Sequence, residues 1–154
     1  MTDLSDLYNA RILELAAAIP PVKRLAEPDA TAQAHSKLCG STIIVDLKMD
    51  GNRVAEFGQS VKACLLGQAS ASVMARNIVG SDAAELRGVA GEMRRMLKEN
   101  GAPPAGRWSD LAVLEPVRAV KARHTSTLLV FEAVERALDA ALNARQLATD
   151  QATA

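Results

Sequence analysis

The sequence predicts an α+β fold, a three-stranded antiparallel sheet with helices packed against it. Three observations lead there. Apolar residues alternate with polar ones in three runs between Ala30 and Val61. From Cys64 onward the apolar period turns helical and stays helical. Hairpin-connected strands followed by a run of helices place those helices on one antiparallel sheet. The chain has 154 residues, 49% of them hydrophobic, which sets one domain with its own core over residues 1–142.

The elements follow in order. Leu4–Ala18 reads as an amphipathic helix with Leu4, Leu7, Ile12, Leu13 and Leu15 near one face, stopped by Pro20-Pro21. Residues 22–29 connect. Ala30, Ala32 and Ala34 alternate with Thr31, Gln33 and His35, a strand pattern. Ile43, Val45, Leu47 and Met49 form a second, and Ala55, Phe57, Gln59 and Val61 a third. The intervening Asp50-Gly51-Asn52 marks a hairpin. A two-residue turn puts Phe57 on the wrong face, so a three-residue loop is expected, with Val45 opposite Phe57 and Leu47 opposite Ala55.

Cys64 opens the next helix, which ends near Gly80 and contains the small run Ala69-Ser70-Ala71-Ser72. Such a run lets a helix lie close against a sheet. Asp82 and Glu85 have capping-box spacing. Leu86, Val89, Ala90, Met93, Met96 and Leu97 then give a helical stripe, closed by Asn100-Gly101. Ser109 is expected to cap a short helix through Leu114, ended by Pro116. Thr125 or Ser126 opens a last helix with Leu128, Phe131, Val134, Leu138 and Leu142 inward. Residues 143–154 are polar and rich in Ala, Thr and Gln, a tail expected to be flexible.

Composition bounds the function. With 18 basic and 18 acidic residues the formal charge is zero, which argues against a nucleic-acid binder. Aromatic content of 3% argues against a base-stacking platform. No apolar run approaches a membrane span, and polar Met1–Asp6 does not read as a secretory signal. A cytoplasmic protein is the expectation, in which the two cysteines are thiols or ligands rather than a structural disulfide.

Cys64 follows a strand and starts a helix, where unpaired N–H groups, the helix dipole and nearby Lys62 favour a thiolate. Cys39 lies on a glycine-containing turn that antiparallel pairing brings towards Cys64. Chemistry alone leaves the pair open between reactive or ligating thiols and small buried hydrophobes. Two cysteines do not complete a tetrahedral site. His35, His124, Ser41 and Ser126 are the candidates to add. Each has a plain alternative: the histidines as surface or hydrogen-bonded groups, Ser126 as a helix cap. Arg118, Lys121, Arg123 and His124 form a basic stretch that reads as a solvated connector, or as a contact for an acidic partner or an anionic sulfur intermediate.

LCGS at Leu38–Ser41, KACLLGQASAS at Lys62–Ser72 and RHTSTLLVFEAV at Arg123–Val134 together resemble the U-type iron–sulfur cluster scaffold proteins (SufU, IscU and the N-terminal domain of NifU). The resemblance runs from Tyr8 to Leu142. The spacing from Cys39 to Cys64 and on to Ser126 resembles the SufU-like branch, with Asp82–Gly106 as that branch's insertion. The family has a Cys-Gly-Asp turn, a second cysteine opening a helix and a third before the last helix, and these four side chains bind zinc or a nascent iron–sulfur cluster. Cys39 and Cys64 match the first two cysteines. Ser41 stands at the aspartate position and Ser126 at the third cysteine, while Arg123 matches a basic residue preceding it. IscU's chaperone-recognition motif is not evident.

The resemblance implies an iron–sulfur cluster assembly scaffold or sulfur acceptor, with Cys64 the candidate acceptor and a cysteine desulfurase as partner. Missing ligands would come from His35 or His124, from a homodimer, or from the partner protein. An alternative is a metal-free paralogue that docks on the desulfurase through residues 118–124. A two-cysteine redox protein is the third reading.

Overall fold

The computed structural model describes residues 9–37 and 40–153. Leu4, Leu7 and Cys39, named above, lie outside the described residues. Helix α1 (Ala10–Ala17) is capped by Asn9, whose Oδ1 accepts from the Ile12 N–H at 3.0 Å. Its Ile12 and Leu15 are buried, but Leu13 points outward and is 44% exposed.

Strands β1 (Ala30–His35), β2 (Thr42–Asp50) and β3 (Arg53–Lys62) form an antiparallel sheet in the order β1-β2-β3. One face carries Ala34, Ile43, Val45, Leu47 and Phe57 into the core. Thr31, Asp46 and Gly58 lie on the other face, crossed by the connector from α1. Asp46 anchors that crossing: its carboxylate accepts from Arg24 Nε (2.6 Å), Thr31 Oγ1 (2.6 Å) and the Leu25 N–H (3.0 Å). Gly58 makes room for it, since a Cβ there would stand 2.5 Å from the Lys23 carbonyl oxygen.

The hairpin register differs from the expectation. Asp50 pairs with Arg53, leaving the two-residue turn Gly51-Asn52, with Gly51 at a φ of 65°. A bulge between Lys48 and Met49 then inserts one residue on the β3 side, so that Leu47 faces Phe57 and Val45 faces Gln59. The parity argument holds, because Phe57 shares the core face with Leu47. The bulge corrects the face that the short turn alone would have reversed.

The remaining elements are α2 (Leu65–Asn77), α3 (Ala83–Lys98), a 3-10 segment (Gly106–Ala119), a short turn Lys121–Arg123, and α4 (His124–Thr153). It is α4 that lies across β1 and β2, while the small-residue helix α2 packs mainly on α1 and α4 and meets the sheet chiefly along β3. All six stripe residues of α3 are buried. Asp82 caps α3 by accepting from the Glu85 N–H at 2.8 Å. The Glu85 carboxylate turns instead to Trp108 Nε1 (2.9 Å) and Arg107 (2.7 Å), tying the 3-10 segment to α3.

The short helix expected from Ser109 to Leu114 is replaced by 3-10 turns that run through Pro116. Trp108, Leu111, Leu114 and Val117 are all buried and fall every third residue, the period of 3-10 turns, where i and i+3 eclipse. In α4, Leu128, Phe131, Val134 and Leu138 are buried as expected and Leu142 is partly buried. The α4 backbone stays helical to Thr153, through the segment whose composition suggests a flexible tail. No helix among the described residues is long and apolar enough to cross a membrane.

Candidate functional site: a cysteine and a serine at one end of the sheet

Thr42 pairs with His35 on one side and Lys62 on the other. The β1–β2 turn and the β3–α2 junction therefore share one end of the sheet. The turn closes through Gly40, whose N–H donates to the Ser36 carbonyl, and through the Ser36 N–H, which donates to the Ser41 carbonyl, both at 2.8 Å. Gly40 adopts a φ of 71°, a left-handed conformation that side-chain-bearing residues rarely take. Cys39 precedes it in sequence. Ser41 is buried.

Across from this turn, Cys64 is the N-cap of α2, with an extended backbone and a half-buried thiol. Its carbonyl accepts from the Gln68 N–H at 2.9 Å. The thiol does not cap the helix; Sγ–H donates to Ser126 Oγ at 3.6 Å. Ser126 is buried and donates in turn to the Arg123 carbonyl at 3.2 Å, which also accepts from Thr127 Oγ1 at 2.8 Å. Ser126 is thus back-bonded inside the first turn of α4 rather than acting as its cap, and its proton is committed to a carbonyl.

Gly67 permits this approach. A Cβ at that position would stand 2.8 Å from Ala63 Cβ and 3.2 Å from the Ser126 carbonyl oxygen. Gly67 was not among the residues legible as part of the site from the sequence. Its signal was present, a glycine one turn after the cysteine inside an otherwise helical run.

Neither histidine is hydrogen-bonded to Cys64. His35 is exposed at the end of β1, with Nδ1 2.8 Å from Thr42 Oγ1. His124 is buried, and its Nε2 lies 3.0 Å from the Val117 carbonyl and 3.2 Å from that of Arg118, which fixes Nε2 as the protonated donor. Two residues on a helix diverge by about 200°, so His124 and Ser126 leave α4 on opposite sides. His124 lines a separate cleft with Arg118 and Lys121 that Cys64 does not line.

Among the described residues no three His, Cys, Asp or Glu side chains gather into a metal-binding group. A tetrahedral zinc or cluster-iron site draws on thiolate, imidazole or carboxylate donors. Among the described residues, Cys64 beside a hydroxyl whose proton is already engaged does not by itself complete a site of that kind.

No protein-family model and no curated protein matches the chain. Solved structures do. The crystal structure of the N-terminal part of a nitrogen-fixing NifU-like protein from Brucella abortus is 55% identical, over 90% of this chain and 96% of that one, with a TM-score of 0.87. A putative iron–sulfur cluster assembly scaffold protein for the SUF system from Fervidobacterium islandicum shares the fold at 17% identity, covering 86% of this chain and 96% of that one, with a TM-score of 0.78. On the identity and coverage of the first, the chain belongs to the U-type scaffold family, whose NifU-like members it resembles throughout the sheet and helices described above.

Proposed function

We propose that the protein is an iron–sulfur cluster assembly scaffold and sulfur acceptor in which Cys64 receives sulfur and the cluster's ligand set is completed from outside the chain. The observation that carries this reading is the Cys64–Ser126 contact at 3.6 Å, a thiol beside a hydroxyl where the family pairs two thiols. The cluster is cargo, and iron reaches it as substrate.

The sulfur step needs only Cys64 and a persulfide on a cysteine desulfurase. The Cys64 thiolate attacks the terminal sulfur of that persulfide. A new S–S bond forms on Cys64, the partner's S–S bond breaks, and the partner cysteine leaves as a thiolate. In the resting state Ser126 Oγ accepts a hydrogen bond from the Cys64 thiol and its own O–H donates to the Arg123 carbonyl, so the thiol has a neutral neighbour rather than a second anion. Cys39, one residue before Gly40 in the sequence, supplies the second thiolate of the scaffold. A second copy of the chain, or the desulfurase itself, supplies the rest.

The test is sulfur transfer from a cysteine desulfurase and free cysteine, read by mass spectrometry of the digested chain. One added sulfur on the Cys64 peptide, lost in Cys64→Ala and retained in Cys39→Ala, supports the assignment. A chain that binds the desulfurase yet acquires no sulfur on either cysteine is the metal-free docking paralogue instead.

A further inference from the structure

We propose that the cleft between the C-terminal end of α3, the 3-10 segment and the first turn of α4 binds a compact, multiply charged anion of the polyphosphate class, held by Lys98, Arg118 and Lys121. The cleft encloses about 520 Å³, the size of a small-ligand site. Among the described residues its lining includes three cationic side chains and neither Asp nor Glu. In a chain whose formal net charge is zero, that is a local concentration of one sign.

The cations come from three separate places and are largely uncommitted. Lys98 ends α3, Arg118 stands near the end of the 3-10 segment, and Lys121 starts the next turn. Both lysines are exposed, and neither has an ion-pair partner among the described residues. Arg118 donates through one Nη to the Gly101 carbonyl at 3.2 Å, with Glu115 at 3.7 Å. Its Nε–H is buried without an acceptor. Thr125 lines the cleft from the first turn of α4, where the helix dipole favours negative charge.

The lining also selects against a peptide. A helix docking into a groove needs an apolar stripe, and among the described residues Leu97 is the only aliphatic side chain lining the cleft. Strand addition needs a free sheet edge, and no strand residue lines the cleft. Two ammonium groups and one guanidinium lining an open cleft match two or three phosphate-type charges. The occupant sits beside Thr125, one residue from Ser126, but on the opposite side of α4 from Cys64.

The experiment is calorimetric titration of the full chain with pyrophosphate, with orthophosphate and a glutamate-rich peptide as comparison ligands. Pyrophosphate is expected to bind once per chain, more tightly than orthophosphate. In the double variant Lys98→Ala/Lys121→Ala, binding should weaken about tenfold or more. Lys48→Ala, on the outer face of the sheet, and Cys64→Ala should leave it unchanged. Thermal melting of each variant confirms that it is folded, and both lysines are exposed. The proposal is overturned if pyrophosphate gives no saturable binding. It is also overturned if the double variant binds as well as the parent, if Lys48→Ala weakens binding equally, or if only the peptide binds.

Discussion

The Cys64 thiol donates to the Ser126 hydroxyl at 3.6 Å, across the junction of α2 and α4. This places a sulfur and an oxygen where two ligating atoms could meet, with the oxygen's proton held by the Arg123 carbonyl at 3.2 Å. Ser126→Cys replaces the hydroxyl with a thiol at the same point. It is expected to raise zinc affinity by about tenfold or more, because a second thiolate joins Cys64 in a borderline-soft site. Competition against a chromophoric chelator measures this. An unchanged affinity would mean that the two side chains cannot converge on one ion.

Gly67 lets the α2 helix come that close. Replacing an exposed helix glycine by alanine ordinarily stabilises by about 0.5–1 kcal/mol. At Gly67 the added Cβ meets Ala63 Cβ at 2.8 Å and the Ser126 carbonyl at 3.2 Å. Overpacking outweighs propensity, and Gly67→Ala is expected to destabilise by about 1–3 kcal/mol. Gly88, exposed in α3 with nothing near its absent side chain, is the control and should be stabilised by alanine. Urea unfolding of both variants gives the comparison, and equal shifts would contradict the tight approach.

Acid stability follows from two carboxylates. Burial opposes ionisation of Asp46, but hydrogen bonds from Arg24, Thr31 and the Leu25 N–H outweigh it and hold its pKa below the ordinary range. Burial likewise opposes ionisation of Glu85, and Trp108, Arg107 and Ser81 outweigh it in the same direction. A carboxylate whose folded pKa is depressed contributes its full stabilisation above its unfolded pKa, about 4. That contribution is lost as pH falls through the folded value. Melting temperature should therefore fall on acidification below that point. Asp46→Asn is expected to flatten the acid limb and to destabilise at neutral pH by about 1–3 kcal/mol, from its lost hydrogen bonds. An unchanged acid limb in Asp46→Asn would remove Asp46 from this account.

Much of this was legible in the sequence because periodicity follows directly from burial. The α3 stripe, the inward face of α4 and the three strands all follow from which residues leave water. The β2–β3 register was not, because a bulge restores the same facing as a longer loop, and alternation alone cannot tell them apart. The 3-10 segment was missed where Pro116 suggested a stop, although Trp108, Leu111, Leu114 and Val117 carry its three-residue period. At the site, Cys64 at the head of α2 was readable from the change of period. The separation of His124 from Ser126 was not, since it depends on which side of α4 each residue leaves. Nor was the placement of α2, which packs mainly on α1 and α4 and meets the sheet at β3, where Gln59 Nε2 donates to the Ala71 carbonyl.

The most direct test of the central claim is native mass spectrometry of the chain after anaerobic reconstitution with iron and sulfide, alone and with a cysteine desulfurase. The account predicts that cluster mass appears only on species containing two copies of the chain or the chain with its partner, and is lost in Cys64→Ala. A stoichiometric cluster on a single isolated chain would contradict it.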